Sequence, residues 1–105
     1  MIATTRFETA QASRYLQTLC KHFGHKIPVQ FTPSEGEITF PFGTCALRAD
    51  TEGLSIETRA ADRADLDRLN TVIRSHLERF AFRETPVLRW QTHPRPIAPT
   101  ERTTT

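Results

Sequence analysis

Long apolar runs are missing from this chain of 105 residues. Its hydrophobic stretches last only a few residues, too short to cross a bilayer, and Met1–Arg6 lacks the apolar core of a secretory signal. Cysteine is scarce as well. The two thiols, Cys20 and Cys45, cannot staple a small secreted scaffold, so a reduced, cytoplasmic chain is expected. Glycine occurs only four times and always singly, which excludes a glycine-rich phosphate cradle. A Gly-x-Ser-x-Gly nucleophile elbow is absent, and neither cysteine sits in a catalytic-thiol motif. Large net charge is lacking too: 14 basic against 12 acidic residues give +2. With 37% hydrophobic and 25% charged residues, the chain has the composition of one soluble, packed domain rather than a disordered one.

What is present is an uneven distribution of charge. Lys21 and Lys26 are the only lysines, so arginine supplies the remaining basic residues. Between Glu8 and Glu35 there is no acid, while Arg14, Lys21, His22, His25 and Lys26 fall inside that interval. A local positive field is expected near the end of the first helix.

Periodicity places the elements. Ala12, Tyr15, Leu16, Leu19 and Phe23 recur at helical spacing. Gly24 then suits the left-handed position after a helix, and Pro28 forbids continuation. Val29 and Phe31 alternate with polar neighbours in a short strand, and Pro33–Gly36 reads as a turn. Ile38, Phe40 and Phe42 form the buried face of the next strand, where Pro41 implies an edge or a bulge. Cys45, Leu47 and Ala49 line another, and Thr51–Gly53 turns the chain into Leu54, Ile56 and Thr58. Asp62 is a good N-cap for a second helix, with Asp65 in its first turn. Leu66, Leu69, Val72, Ile73, Leu77 and Phe80 make its apolar stripe. Pro86 ends the helical region, and Val87–Gln91 reads as a last strand. Ala3, Thr5 and Phe7 alternate with Thr4 and Arg6 in a first one.

The order is β-α-β-β-β-β-α-β, with one apolar face per element. It predicts an α+β two-layer sandwich, an antiparallel sheet with both helices on one face. The order is similar to helix-grip or TATA-binding-protein-like topologies, a likeness that carries no function. Residues 1–92 form the expected single domain. Residues 93–105, rich in Pro and Thr, form an expected disordered tail.

Three constellations carry chemistry. Cys20, His22 and His25 are donor types for a soft metal, but Cys20 and His22 point about 160° apart on a helix. Cys20, Cys45 and His76 make the easier trio, against the alternative that both thiols are small core residues. His76 lies on the apolar stripe. It is either a core histidine holding one hydrogen bond or a ligand contact at the floor of a pocket under the sheet. Arg79 and Arg83, one turn apart on the flank of the helix, either relieve its dipole or clamp an anion. The open sheet face should show Glu37, Arg48, Asp50, Glu57 and Arg59, too acidic a surface for nucleic acid. No nucleic-acid partner, no membrane partner and no cofactor are expected.

The stretches Cys20-Lys21-His22-Phe23-Gly24-His25-Lys26, Phe40-Pro41-Phe42-Gly43 and His76-Leu77-Glu78-Arg79-Phe80-Ala81-Phe82-Arg83, in this order, resemble the bacterial domain-of-unknown-function family numbered 2218. The resemblance covers about residues 3–92 and implies a small bacterial protein of a family also found attached to siderophore-interacting reductases. It implies no established activity. The family's recurring polar residues fall here on His22, His25, Lys26, His76, Arg79 and Arg83. A non-enzymatic binding module for an anionic ligand, such as a ferric siderophore or its fragment, is therefore expected. The alternatives are an interaction subunit, docking on a reductase or pairing with a second copy, and a metalloprotein built on Cys20, Cys45 and His76.

Overall fold

A computed structural model describes residues 1–93 of the chain. The elements are β1 (Ile2–Glu8), α1 (Ala12–Phe23), β2 (Val29–Phe31), β3 (Glu35–Phe40), β4 (Gly43–Ala49), β5 (Gly53–Arg59), α2 (Arg63–Phe80) and β6 (Gln91–His93). The expected order and the α+β class are both observed. The strands form one antiparallel sheet in the order β2-β3-β4-β5-β1-β6. The first strand is thus interior, and α1 carries the chain across the sheet to begin the meander at the far edge.

Register sorts the side chains by face, because residues directly opposite share one side of a pleated sheet. Ala3, Thr58 and Cys45 lie in one row with Ile38, and Thr5, Ile56 and Leu47 lie in the next. These face the helices. Leu16 and Leu19 of α1 and Leu66, Leu69, Ile73 and Leu77 of α2 close over them, all fully buried. Each such leucine or isoleucine contributes about 1.5–3 kcal/mol of transfer free energy. The opposite face, with Arg6, Glu37, Arg48, Glu57 and Arg59, is left to solvent.

Local hydrogen bonds fix the joints. Asp62 caps α2 by accepting from the Asp65 amide at 2.9 Å. Asp50 accepts from the Glu52 and Gly53 amides at 2.8 and 2.9 Å, closing the β4–β5 hairpin. Gly36 is required for a different reason. It faces α1, and a Cβ there would stand 2.8 Å from the Cys20 Sγ.

Four local expectations are corrected. Gly24 is right-handed (φ −63°), because the chain after α1 folds back through Lys26 and Ile27 amides that both reach the Phe23 carbonyl. Pro41 and Phe42 form the β3–β4 turn, so no bulge is needed and Phe42 packs on the rim of the core. Val87–Arg89 is irregular, and the last strand starts only at Gln91, since only Gln91–His93 reaches β1. Phe31 remains 38% exposed although it faces the helix side, because β2 is a three-residue edge strand. His93 closes β6, and the expected tail otherwise falls on 94–105, outside the described residues.

Candidate functional site

The acid-free segment folds into one end of the helical layer. Lys21 and His22 occupy the last turn of α1, where the unpaired carbonyls of a helix favour cations. The fold-back after Gly24 holds His25 and Lys26 beside that end. From α2, His76 reaches the same place. Its Nδ1 lies 2.7 Å from the Val72 carbonyl oxygen, a distance met by an N–H donating to that oxygen. A ring so placed has a proton on Nδ1, and whenever it holds only that one, Nε2 is left as an acceptor.

The two imidazoles pack directly, His22 and His76 having ring centroids 4.9 Å apart. Phe23 lies 4.8 Å from His76 and Phe80 lies 5.6 Å from His22. The aromatic group continues through Phe40, 5.0 Å from Phe23, to Phe42, over which the Arg68 guanidinium sits at 4.1 Å. Such edge-on and tilted pairs add about 0.5–1.5 kcal/mol each beyond their burial.

Electrostatics identify the neighbours. Partial desolvation holds the His22 imidazole below its ordinary value, and the positive fields of His76, Arg79, His25 and Lys26 push the same way. Among the described residues no carboxylate offsets them. Among the described residues Lys21, Lys26 and Arg79 make no ion pair. His22, His25, Lys26 and Arg79 are exposed and His76 is half-buried. Five of the six expected binding residues are thus brought together.

Arg83 is the exception. α2 ends at Phe80, so Arg83 stands in the following turn with its guanidinium 5.5 Å from the Phe82 ring, and the helical pairing with Arg79 is not formed. His76 packs against the end of α1, away from the open sheet face. It sits between the two helices, in contact with His22 and Phe23. The metal trio also fails: among the described residues no three of His, Cys, Asp and Glu lie close enough to hold an ion. Cys20 and Cys45 are free and fully buried. Burial pushes the Cys20 thiol up to about 11 and Cys45 further still, leaving both protonated and inert near neutral pH.

Sequence reasoning missed two ties. The Tyr15 hydroxyl donates to the Glu84 carboxylate, which also accepts from Gln11 Nε2 at 3.4 Å, strapping the turn after α2 onto α1. Asn70 is buried on α2 and its Oδ1 accepts from the Thr58 hydroxyl at 2.5 Å. The signal for Asn70 was its position between Leu69 and Ile73, a polar residue on the apolar stripe. A trough of about 1140 Å³ crosses the open sheet face, with Gln30, Glu37, Ala46, Glu57 and Thr4 in one row. Its charges are largely answered from within. Arg6 binds Glu8, Asp50 and Ser55, and Arg59 binds Glu57, as on an ordinary solvated face.

Residues 4–91 match the model of a family described as an uncharacterised protein conserved in bacteria, DUF2218. The chain belongs to the DUF2218 family. Among solved structures, this DUF2218 protein is similar to the NMR structure of PA4090 from Pseudomonas aeruginosa. The two share 34% identity over 86% of this chain and 94% of that one, with a TM-score of 0.74. No curated protein matches the chain. The shared fold assigns no activity, so function rests on the side chains.

Proposed function

We propose that this DUF2218 protein is a non-enzymatic binding module whose helix-end patch holds an anion. The observation that supports the reading is the meeting of His22, His25, Lys26, His76 and Arg79 with no carboxylate, among the described residues, acting on His22. Cations left unpaired repel one another, and an anionic guest relieves that repulsion. Lys26 and Arg79 supply charge, while His22 and His25 donate hydrogen bonds and the Nε2 of His76 accepts one. The half-exposed Phe23 and Phe80 give the patch a flat apolar border. The siderophore setting suggested by the family resemblance makes ferric and iron-free siderophores the first probes.

Amide shifts followed during siderophore titration test the reading. Saturable shifts centred on 21–26 and 76–80 are expected, weakened at least about tenfold in a Lys26→Ala, Arg79→Ala double variant, since hydrogen bonds to charged groups contribute roughly 1.5–3 kcal/mol each. No saturable response at millimolar ligand overturns it. A second reading, an interaction subunit, is favoured by one observation: the three-residue edge strand β2 leaves Phe31 uncovered. Loss of reductase binding or of self-association on Phe31→Lys, with Lys26→Ala harmless, would select that reading.

A further inference from the structure

A second, smaller concavity lies on the opposite flank of α2, away from the helix-end patch. It is a cleft of about 290 Å³ between α2 and the chain entering β6, bordered by Arg63, Asn70, Arg74 and Trp90. We infer that this cleft binds a small carboxylate carried on a flat apolar body.

The inference starts from Asn70. The side chain is nine-tenths buried, and its Oδ1 is used by the Thr58 hydroxyl. The same hydroxyl lies 3.4 Å from the Ala3 carbonyl oxygen, and its one proton goes to the nearer acceptor, Oδ1, so the Nδ2 group faces away from Thr58. Among the described residues Nδ2 makes no hydrogen bond and no buried side-chain nitrogen or oxygen is sealed off without a partner, while Asn70 lines the cleft. The amide N–H group therefore opens into the cleft. A buried amide donor held by a second hydrogen bond is an oriented recognition element, not a solvated surface group.

Charge then selects the guest. Arg63 is held by Asp67 at 3.1 Å, one helical turn on, so that pair is neutral as a unit. Arg74 makes no ion pair among the described residues and leaves the cleft with one uncompensated positive charge. One guanidinium plus one amide donor matches a carboxylate, which accepts from both. A metal cation would meet a net positive wall. Trp90 supplies the remaining contact: half-buried, it packs against the core and offers the cleft a flat indole edge or face. The volume falls just below the usual range for ligand pockets, about 300–1,000 Å³, and suits an acid no larger than a single ring.

Trp90 is the only tryptophan, so indole emission reads the cleft directly. The full chain is titrated with benzoate, and with acetate, inorganic phosphate and benzyl alcohol as comparators, by fluorescence and amide shifts. Saturable benzoate binding at millimolar concentration is expected, with shifts confined to 63–74 and 90–92. Arg74→Ala, a change at an exposed position, should weaken binding about tenfold or more with the urea midpoint unmoved, and Arg74→Lys should restore part of it. Equal affinity for benzyl alcohol would refute the carboxylate. Equal affinity for acetate or phosphate would refute the flat body. Absence of saturation refutes the site itself. The helix-end reading is judged separately, since its shifts fall on 21–26 and 76–80.

Discussion

Replacing Gly36 with alanine places a methyl group where α1 comes closest to β3. The new Cβ would stand 2.8 Å from the Cys20 Sγ, with Phe31 Cβ at 3.3 Å and Leu16 Cδ2 at 3.4 Å. The last two need shifts of only a few tenths of an ångström. The sulfur cannot yield as easily, because Cys20 is fully buried on a short side chain near the C-terminal end of α1. Overpacking of this kind costs about 1–3 kcal/mol. Alanine also restricts the unfolded chain, which offsets about 0.4–1 kcal/mol of that. A net loss of about 1–2 kcal/mol is expected for Gly36→Ala. Cys20→Ala alone empties a buried sulfur-sized space and should cost about 1–2 kcal/mol. In the double variant the new methyl occupies part of the space the sulfur leaves. The combined loss should therefore fall short of the sum by about 1 kcal/mol or more, within the range seen for residues in contact. Equilibrium urea unfolding followed by Trp90 emission measures all four corners of the cycle, and an unchanged m-value confirms that the native state is being compared. Additivity within about 0.5 kcal/mol would refute the claim that Gly36 is glycine to admit Cys20.

Two further outcomes follow from the electrostatics. His22 titrates below the ordinary 6.5 of histidine, so between its folded and unfolded values the unfolded chain binds the extra proton. Its contribution to stability is complete above the unfolded value, declines as pH falls below 6.5, and levels off below the folded value. Histidine ring resonances followed against pH report the midpoint, and Arg79→Gln should move it upward; an unmoved midpoint would place Arg79 away from His22. For the thiols, a disulfide reagent should label neither Cys20 nor Cys45 in the native protein and both in denaturant, and fast native labelling of either would contradict the burial that raises them.

The fold was legible because each element obeys its own period. The stripe from Leu66 to Leu77 and the alternation from Leu54 to Thr58 gave both face and boundary, and the Asp62 cap fell where the helix starts. The errors fall where non-local contacts decide. Phe42 continues the alternation of Ile38 and Phe40 in sequence, but β3 loses its partner after the Phe40–Gly43 pair, so the chain must turn. Val87 and Leu88 have strand-like composition, yet backbone pairing with β1 exists only from Gln91. Gly24 reads as a left-handed stop, and only the fold-back onto the Phe23 carbonyl makes a right-handed one sufficient.

Legibility of the site followed a different rule. The absence of acid between Glu8 and Glu35 is a property of the chain, and it survives folding because the last turn of α1 and the residues after it stay together. That His76 and Arg79 join them is a tertiary fact. It depends on where α2 crosses α1, which the stripe alone does not set. The crossing is fixed by contacts with no sequence signature: the His22–His76 ring pair at one point and the Tyr15–Glu84 hydrogen bond at another. Arg83 was misplaced for the same reason, since extending α2 by one turn puts it beside Arg79, whereas ending the helix at Phe80 lets Glu84 reach back to Tyr15. The strap that ties the turn after α2 to α1 thus removes Arg83 from the patch, and the helix-end group is five residues because the helix stops where it does.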